Sequence, residues 1–216
     1  MSVVEQPKSA GLIARVQGML MKPAVEWDVI DGESATVPGL FTGYACILAA
    51  IIPIMSALAG ILAFSALGAL HSIVPFAAHL GPVAVIGGAV VSYVSALLTT
   101  FAVGFIIDAL APSFDGQRSQ IQGMKLAVYS WTAVWVSGIA LIIPLLGGLV
   151  VIAALFYSLY AFWIGAPKLM KVPAEKASGY ALVCMLASLV AGAVIWWVLH
   201  AVEGMFFVGS MMTGGL

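Results

Sequence analysis

Five apolar stretches, each long enough to cross a bilayer as a helix, dominate the chain. All but one of its few charges lie outside them. A spanning helix needs about 20 apolar residues. Candidates run from Gly39 to Leu67, Val83 to Ile107, Met124 to Ile143, Leu145 to Ile164 and Gly179 to Leu199. No soluble domain is built this way: 63% of the residues are hydrophobic and 8% charged, where an ordinary soluble domain carries roughly 25% charged residues. Lipid is therefore the solvent for most of the surface. The expected fold class is all-α, a polytopic transmembrane helical bundle of about five spans with a short amphipathic N-terminal cytoplasmic helix.

The third and fourth stretches are almost continuous. Read as one helix they would reach about 60 Å, twice the hydrocarbon thickness, so Pro144 and Gly147-Gly148 are expected to mark a turn. Pro53 predicts a tilt or kink in the overlong first span. Before it, Leu12, Ile13, Val16, Met19 and Leu20 share one helical face within Ser9 to Met21, with Arg15 and Gln17 placed away from it. This segment is too short to span. It is expected to lie on the cytoplasmic membrane surface or pack under the bundle. Lys22-Pro23 breaks it, and a second short helix is expected from Ala24 to Ile30. No cleavable signal is expected, because acids precede the first long apolar run, so insertion should use the first span itself. The chain divides into a cytoplasmic segment, 1–36, a five-span domain, 37–204, and an apolar C-terminal tail, 205–216, whose glycines argue against a sixth crossing.

All eight basic residues fall in three segments. Lys8, Arg15 and Lys22 precede span one, Arg118 and Lys125 separate spans two and three, and Lys168, Lys171 and Lys176 separate four and five. Five crossings put the three segments on one side, which the positive-inside rule makes cytoplasmic. The expected location is a cell (inner) membrane, multi-pass, with the N-terminus cytoplasmic and the C-terminus outside. Trp196-Trp197 outside and Tyr157, Tyr160 and Trp163 inside fit interfacial belts. The net charge of −1 gives no attraction for nucleic acid.

Small residues predict the helix seams. They are Gly88, Ser92, Ser95 and Thr99 on span two, Ala154, Ser158, Ala161 and Gly165 on span four, and Cys184, Ser188 and Gly192 on span five. The two cysteines, Cys46 and Cys184, read as small buried hydrophobes.

Catalytic patterns are missing: no G-x-S-x-G, H-E-x-x-H, P-loop or G-x-G-x-x-G occurs. Neither catalytic residues nor a cofactor is expected. Intramembrane charges usually mark ion or proton relays, and the one acid near a span interior is Asp108. Lys125 lies one turn from Tyr129, so Asp108, Lys125 and Tyr129 form a candidate cytoplasmic polar cluster. His71, His79 and His200, with Glu203, lie on the opposite side. Only His200 and Glu203 have a ligand-like spacing, and no metal site is assigned to them.

Four segments together resemble the Yip1-domain family of five-span membrane proteins. Lys22-Pro23 with Trp27, Asp28 and Ile30 is similar to its N-P…W-x-x-I segment. Asp108 to Pro112 with Phe114 and Gly116 resembles its L-A-P-x-F-G loop. Lys125-Leu126, Tyr129-Ser130, Thr132 and Trp135 resemble its K-L-x-x-Y-S-x-T-P-x-W helix, with Ala133 in place of the frequent proline. Tyr157 to Tyr160, Gly165, Pro167, Leu169 to Lys171, Pro173, Lys176-Ala177 and Tyr180 complete the likeness. The resemblance runs from about Lys22 to Val190. It implies the five-span fold. Eukaryotic members are associated with Rab-type GTPases, whereas the short form here is similar to the prokaryotic branch, and GTPase binding is not carried over.

The resembling residues concentrate on the cytoplasmic side. The loops Ala111 to Gln122 and Ala166 to Ser178 are expected side by side, stiffened by Pro112, Pro167 and Pro173. Candidate functional residues there are Asp108, Pro112, Lys125, Tyr129, Lys171 and Lys176. The first expectation is a non-enzymatic membrane scaffold or adaptor that binds a protein partner, or itself as a homo-oligomer, through this face, with membrane lipids around it. A small oligomeric channel or transporter, resting on Ser92, Ser95, Thr99 and Pro53, is the alternative. A lipid-handling or bilayer-shaping protein is the third reading.

Overall fold

The computed structural model describes residues 11–66, 82–143 and 145–212. Among them the chain is helical and has no strand. Among the described residues five helices are long and apolar enough to cross a membrane: Val37–Leu62, Val85–Phe114, Gln120–Ile142, Leu146–Met170 and Ala174–Met205.

The described residues open with a helical hairpin. Helix α1 covers Leu12–Met21 and α2 covers Pro23–Gly32, with Lys22 as the non-helical corner between them. Pro23 suits the first position of α2, where no backbone N–H is needed. The hairpin is packed into the bundle and does not float on its surface: α1 lies against span three, α2 against span four, and Trp27 and Ile30 are fully buried. The Tyr157 hydroxyl donates to the carbonyls of Met19 and Leu20 at 2.9 and 2.8 Å. Arg15, expected on the outward face, points inward and is 2% exposed. Its partners on and just beyond α2 make the interior the favourable side, and Ile13 faces outward instead.

Span one is broken into α3 (Val37–Leu40), a π-helical turn (Phe41–Ala45), α4 (Cys46–Ala49) and α5 (Ile51–Ala66). Pro53 has no N–H for the Ala49 carbonyl, and the helix is interrupted one turn before it, at Ala50. Span two is α6, Pro82–Leu110, closed by a 3₁₀ turn over Ala111–Phe114. Span three is also segmented: α7 (Gln120–Ser130), α8 (Thr132–Ser137) and a 3₁₀ turn (Gly138–Ile142), with a break at Trp131. The break persists although Ala133 stands where proline is frequent. The Tyr129 carbonyl accepts from the Thr132 hydroxyl at 2.6 Å, and that hydroxyl also meets the Tyr44 hydroxyl at 2.8 Å.

Two expectations about the later helices change. Helix α9, Leu146–Met170, runs straight through Pro167, so the expected loop from Ala166 to Ser178 shrinks to Lys171, Val172 and Pro173. In the last turn a proline forfeits one backbone bond, and the buried Leu169 and Met170 favour keeping the helix. Helix α10 spans Ala174–Met212, so the apolar tail from Met205 continues that helix for as far as it is described. Each glycine there costs about 1 kcal/mol, less than an unsatisfied backbone group in lipid. Pro144, His71 and His79 lie outside the described residues.

Span two contacts spans one, three and five, and span four contacts three and five. Span three is the centre of the bundle: 61% of its most apolar window is buried, against 6% for span five. Helices α6 and α7 cross where Gly104 meets Gly123; a methyl on Gly123 would sit 2.6 Å from the Gly104 carbonyl oxygen. Buried residues crowd the half of the bundle that carries the basic residues.

Candidate functional site

At that basic end the α1–α2 hairpin is wired to spans three and four. In an antiparallel hairpin, residues roughly equidistant from the corner face each other, and Gly18 comes against Glu26 across Lys22. Glycine at 18 leaves room for the Glu26 carboxylate, which accepts from Arg15 Nη1 at 2.5 Å. The other terminal nitrogen of Arg15 donates to both Glu33 carboxylate oxygens. The guanidinium lies over the Tyr129 ring, 5.4 Å from its centroid. Burial works against the Arg15 charge, but the hydrogen bond and charge of Glu33, with lesser help from Tyr129 and Glu26, hold its pKa above the ordinary arginine value.

Lys125 reaches the C-terminal end of α2. Its ammonium donates to the Ile30 carbonyl at 2.8 Å and the Glu33 carbonyl at 2.5 Å. A cation there satisfies carbonyls that the helix leaves open and sits at the negative end of the helix dipole. Tyr129 stacks edge-on with Tyr44, 4.8 Å between centroids, and with Trp27 at 6.5 Å. Trp27 donates from Nε1 to the Ala161 carbonyl at 2.9 Å. Gly165 makes room for it: a methyl there would lie 2.5 Å from Trp27 Cε2.

A second layer of ion pairs stands above. Lys168 meets Asp28 at 2.7 Å and also donates to the Ala24 carbonyl. Lys171 meets Asp31 at 2.5 Å, and Gln122 donates to the Asp31 carboxylate and carbonyl. Lys176 pairs with Asp115. The two loops lie side by side: the Gln117 N–H donates to the Met170 carbonyl at 2.7 Å. Pro112 sits in the 3₁₀ turn, where its carbonyl accepts from Asp115 N–H at 3.2 Å.

The six candidate residues therefore do not form one cluster. Lys125 and Tyr129 converge on the Arg15–Glu33 pair, Lys171 pairs separately with Asp31, and Lys176 and Pro112 both contact Asp115. Asp108 turns to Arg118, 3.7 Å away, and its Oδ1 has no partner. The seams also differ in detail. The Ser158, Ala161 and Gly165 stripe is buried, with Gly165 against Trp27 of α2, and Gly192 of α10 packs on Thr99 of α6. Ser92, Ser95 and Thr99 line a cavity walled by Trp131, Trp135 and Trp196. On the opposite side, the His200 ring stacks on Trp196 with its Nδ1 at 2.9 Å from the Trp196 carbonyl, while Glu203 lies by Gly87 and Gly88. Among the described residues no group of three metal-ligating side chains converges.

Sequence reasoning missed Arg15, Glu26 and Glu33 as a unit. The available signal was three charges flanking a Lys-Pro corner in a chain that spends charge sparingly. Comparison with the curated proteins and with the solved structures gave no match. The profile of the Yip1 domain matches residues 18–198, from within α1 to within α10. That match takes in the hairpin corner, both loops and all five spans, and the chain belongs to the Yip1-domain family.

Proposed function

We propose that this Yip1-domain protein is a non-enzymatic membrane scaffold that binds a protein partner, or a second copy of itself, through its basic end. We place that end in the cytoplasm of a cell with the protein in its inner membrane. The observation that carries the reading is the wiring of the hairpin. Arg15, Lys125, Lys168 and Lys171 all bind groups on or just beyond α2. A preorganised cap suits recognition, because a surface already ordered loses little entropy on binding. The carboxylates of Glu26, Asp28, Asp31, Glu33 and Asp115 are each engaged by a cation, an arrangement suited to holding a surface and not to turnover. The placement of Arg15, Lys22, Arg118, Lys125, Lys168, Lys171 and Lys176 at one end supports the orientation through the positive-inside rule.

Photocrosslinking residues placed at Arg118, whose side chain is 68% exposed, and at the exposed Glu175 test the proposal in native membranes. Discrete adducts with one protein, or with a second copy, are expected. Adducts with lipid alone at both positions would sink it.

A further inference from the structure

A cavity of about 200 Å³ lies inside the bundle between spans two, three, four and five. It adjoins a second of about 250 Å³, with Thr99, Trp131 and Gly192 common to both walls. The first is lined mainly by apolar side chains, among them Val103, Leu155, Phe162 and Met185. Four hydroxyls, those of Thr99, Ser130, Ser158 and Ser188, break that lining, and two of them stand out. Ser130 and Ser158 are 5% and 4% exposed, both face the cavity, and neither Oγ has a hydrogen-bond partner. Other hydroxyls of these helices are satisfied by their own backbone: Thr100 donates to the Ala96 carbonyl and Ser188 to the Cys184 carbonyl. A buried hydroxyl with no partner is costly, most of all in lipid.

We infer that this cavity is a binding site for a neutral lipid-like molecule with one oxygen function, a hydroxyl or carbonyl, held between Ser130 and Ser158. An apolar cavity of about 150 Å³ accommodates a benzene ring, so the space fits a ring or a short run of alkyl chain. Ser158 stands midway along Leu146–Met170, and the cavity wall holds no charged side chain that would pair with a charged or zwitterionic group and offset its desolvation. Entry is lateral from the bilayer: Leu189 and Ala193 of α10 line the cavity and are exposed on the lipid side.

The test is photolabelling of the full chain in phosphatidylcholine nanodiscs with a diazirine-bearing octanol, adducts being mapped by mass spectrometry. Saturable labelling of Leu155, Leu159 and Met185 is expected, displaced by unlabelled octanol. The double variant S130A/S158A removes only the unpaired hydroxyls and so keeps the fold. It should raise the half-saturating concentration tenfold or more. A diazirine-bearing octane should not saturate. Non-saturating label spread equally over the lipid-facing Val190 and Val194 would overturn the site. An unchanged half-saturation in the double variant, or equal capture of the alkane, would overturn recognition through the hydroxyls.

Discussion

The Arg15 guanidinium lies over the ring of Tyr129, 5.4 Å from its centroid, and so joins the first helix of the chain to the central span. The same guanidinium carries Glu26 and Glu33, which makes it the keystone of the buried ion cluster.

Removing that keystone while leaving its partners exposes the cost of isolated buried charge. Arg15→Met is expected to destabilise the protein by about 3–5 kcal/mol, because Glu26 and Glu33 lose their cation. The triple variant R15M/E26Q/E33Q should recover most of the loss, since no unpaired ion remains. Thermal unfolding in mild detergent, followed by tryptophan fluorescence, distinguishes the two. A triple variant as unstable as the single one would contradict this account.

Gly165 and Gly148 both lie in α9 and should respond oppositely to alanine. At Gly165 the added methyl meets the fully buried Trp27 indole, so a loss of about 1–3 kcal/mol is expected. At Gly148 nothing lies within 4 Å, and alanine should be neutral or slightly stabilising. Equal melting temperatures for the two variants would remove the packing argument.

Ala133→Pro should be tolerated, with a cost below about 1 kcal/mol. Residue 133 is in the first turn of α8, where a backbone N–H has no helical partner to lose. Ala154→Pro, inside α9, should cost about 3 kcal/mol or more. Expression and unfolding of the pair give the comparison.

The outer ion pairs should contribute far less than the inner cluster. Lys171 and Asp31 keep 46% and 30% of their side-chain surface exposed. A double-mutant cycle on them should return a coupling of at most about 1 kcal/mol, falling as salt is added. A coupling of several kcal/mol would mean that the cap is drier than its exposure indicates.

The orientation has a direct readout. In a background lacking Cys46 and Cys184, a cysteine at Ser178 should react with an impermeant maleimide only after the cells are opened. One at Met205, 75% exposed, should react in intact cells. The reverse pattern would invert the proposed topology.

The five spans were legible because lipid enforces a minimum apolar length that hydropathy reads directly. The interruption near Pro53 was legible for a similar local reason. Arg15 was misplaced because a helical wheel assigns polar residues outward. Its inward position depends on Glu26 and Glu33 across a hairpin, which no single-helix pattern contains. Asp108 and Lys125 were grouped by their shared end of the bundle, but each found a nearer partner, Arg118 for one and the α2 carbonyls for the other. The end of α9 was cut short because Pro167 was placed in a stiffened loop after Ile164, when its position in the final turn costs the helix little.

The hairpin's partners also fix an order of assembly. Trp27 binds a carbonyl 134 positions later, and Asp28 pairs with a lysine 140 positions later. During synthesis the first helices leave the ribosome long before either partner exists. Trp27 and Asp28 must therefore wait without their final partners until span four has entered the bilayer. Docking of α2 is then a closing step, so protease resistance of the hairpin in truncated nascent chains should appear only once the chain extends past Lys171.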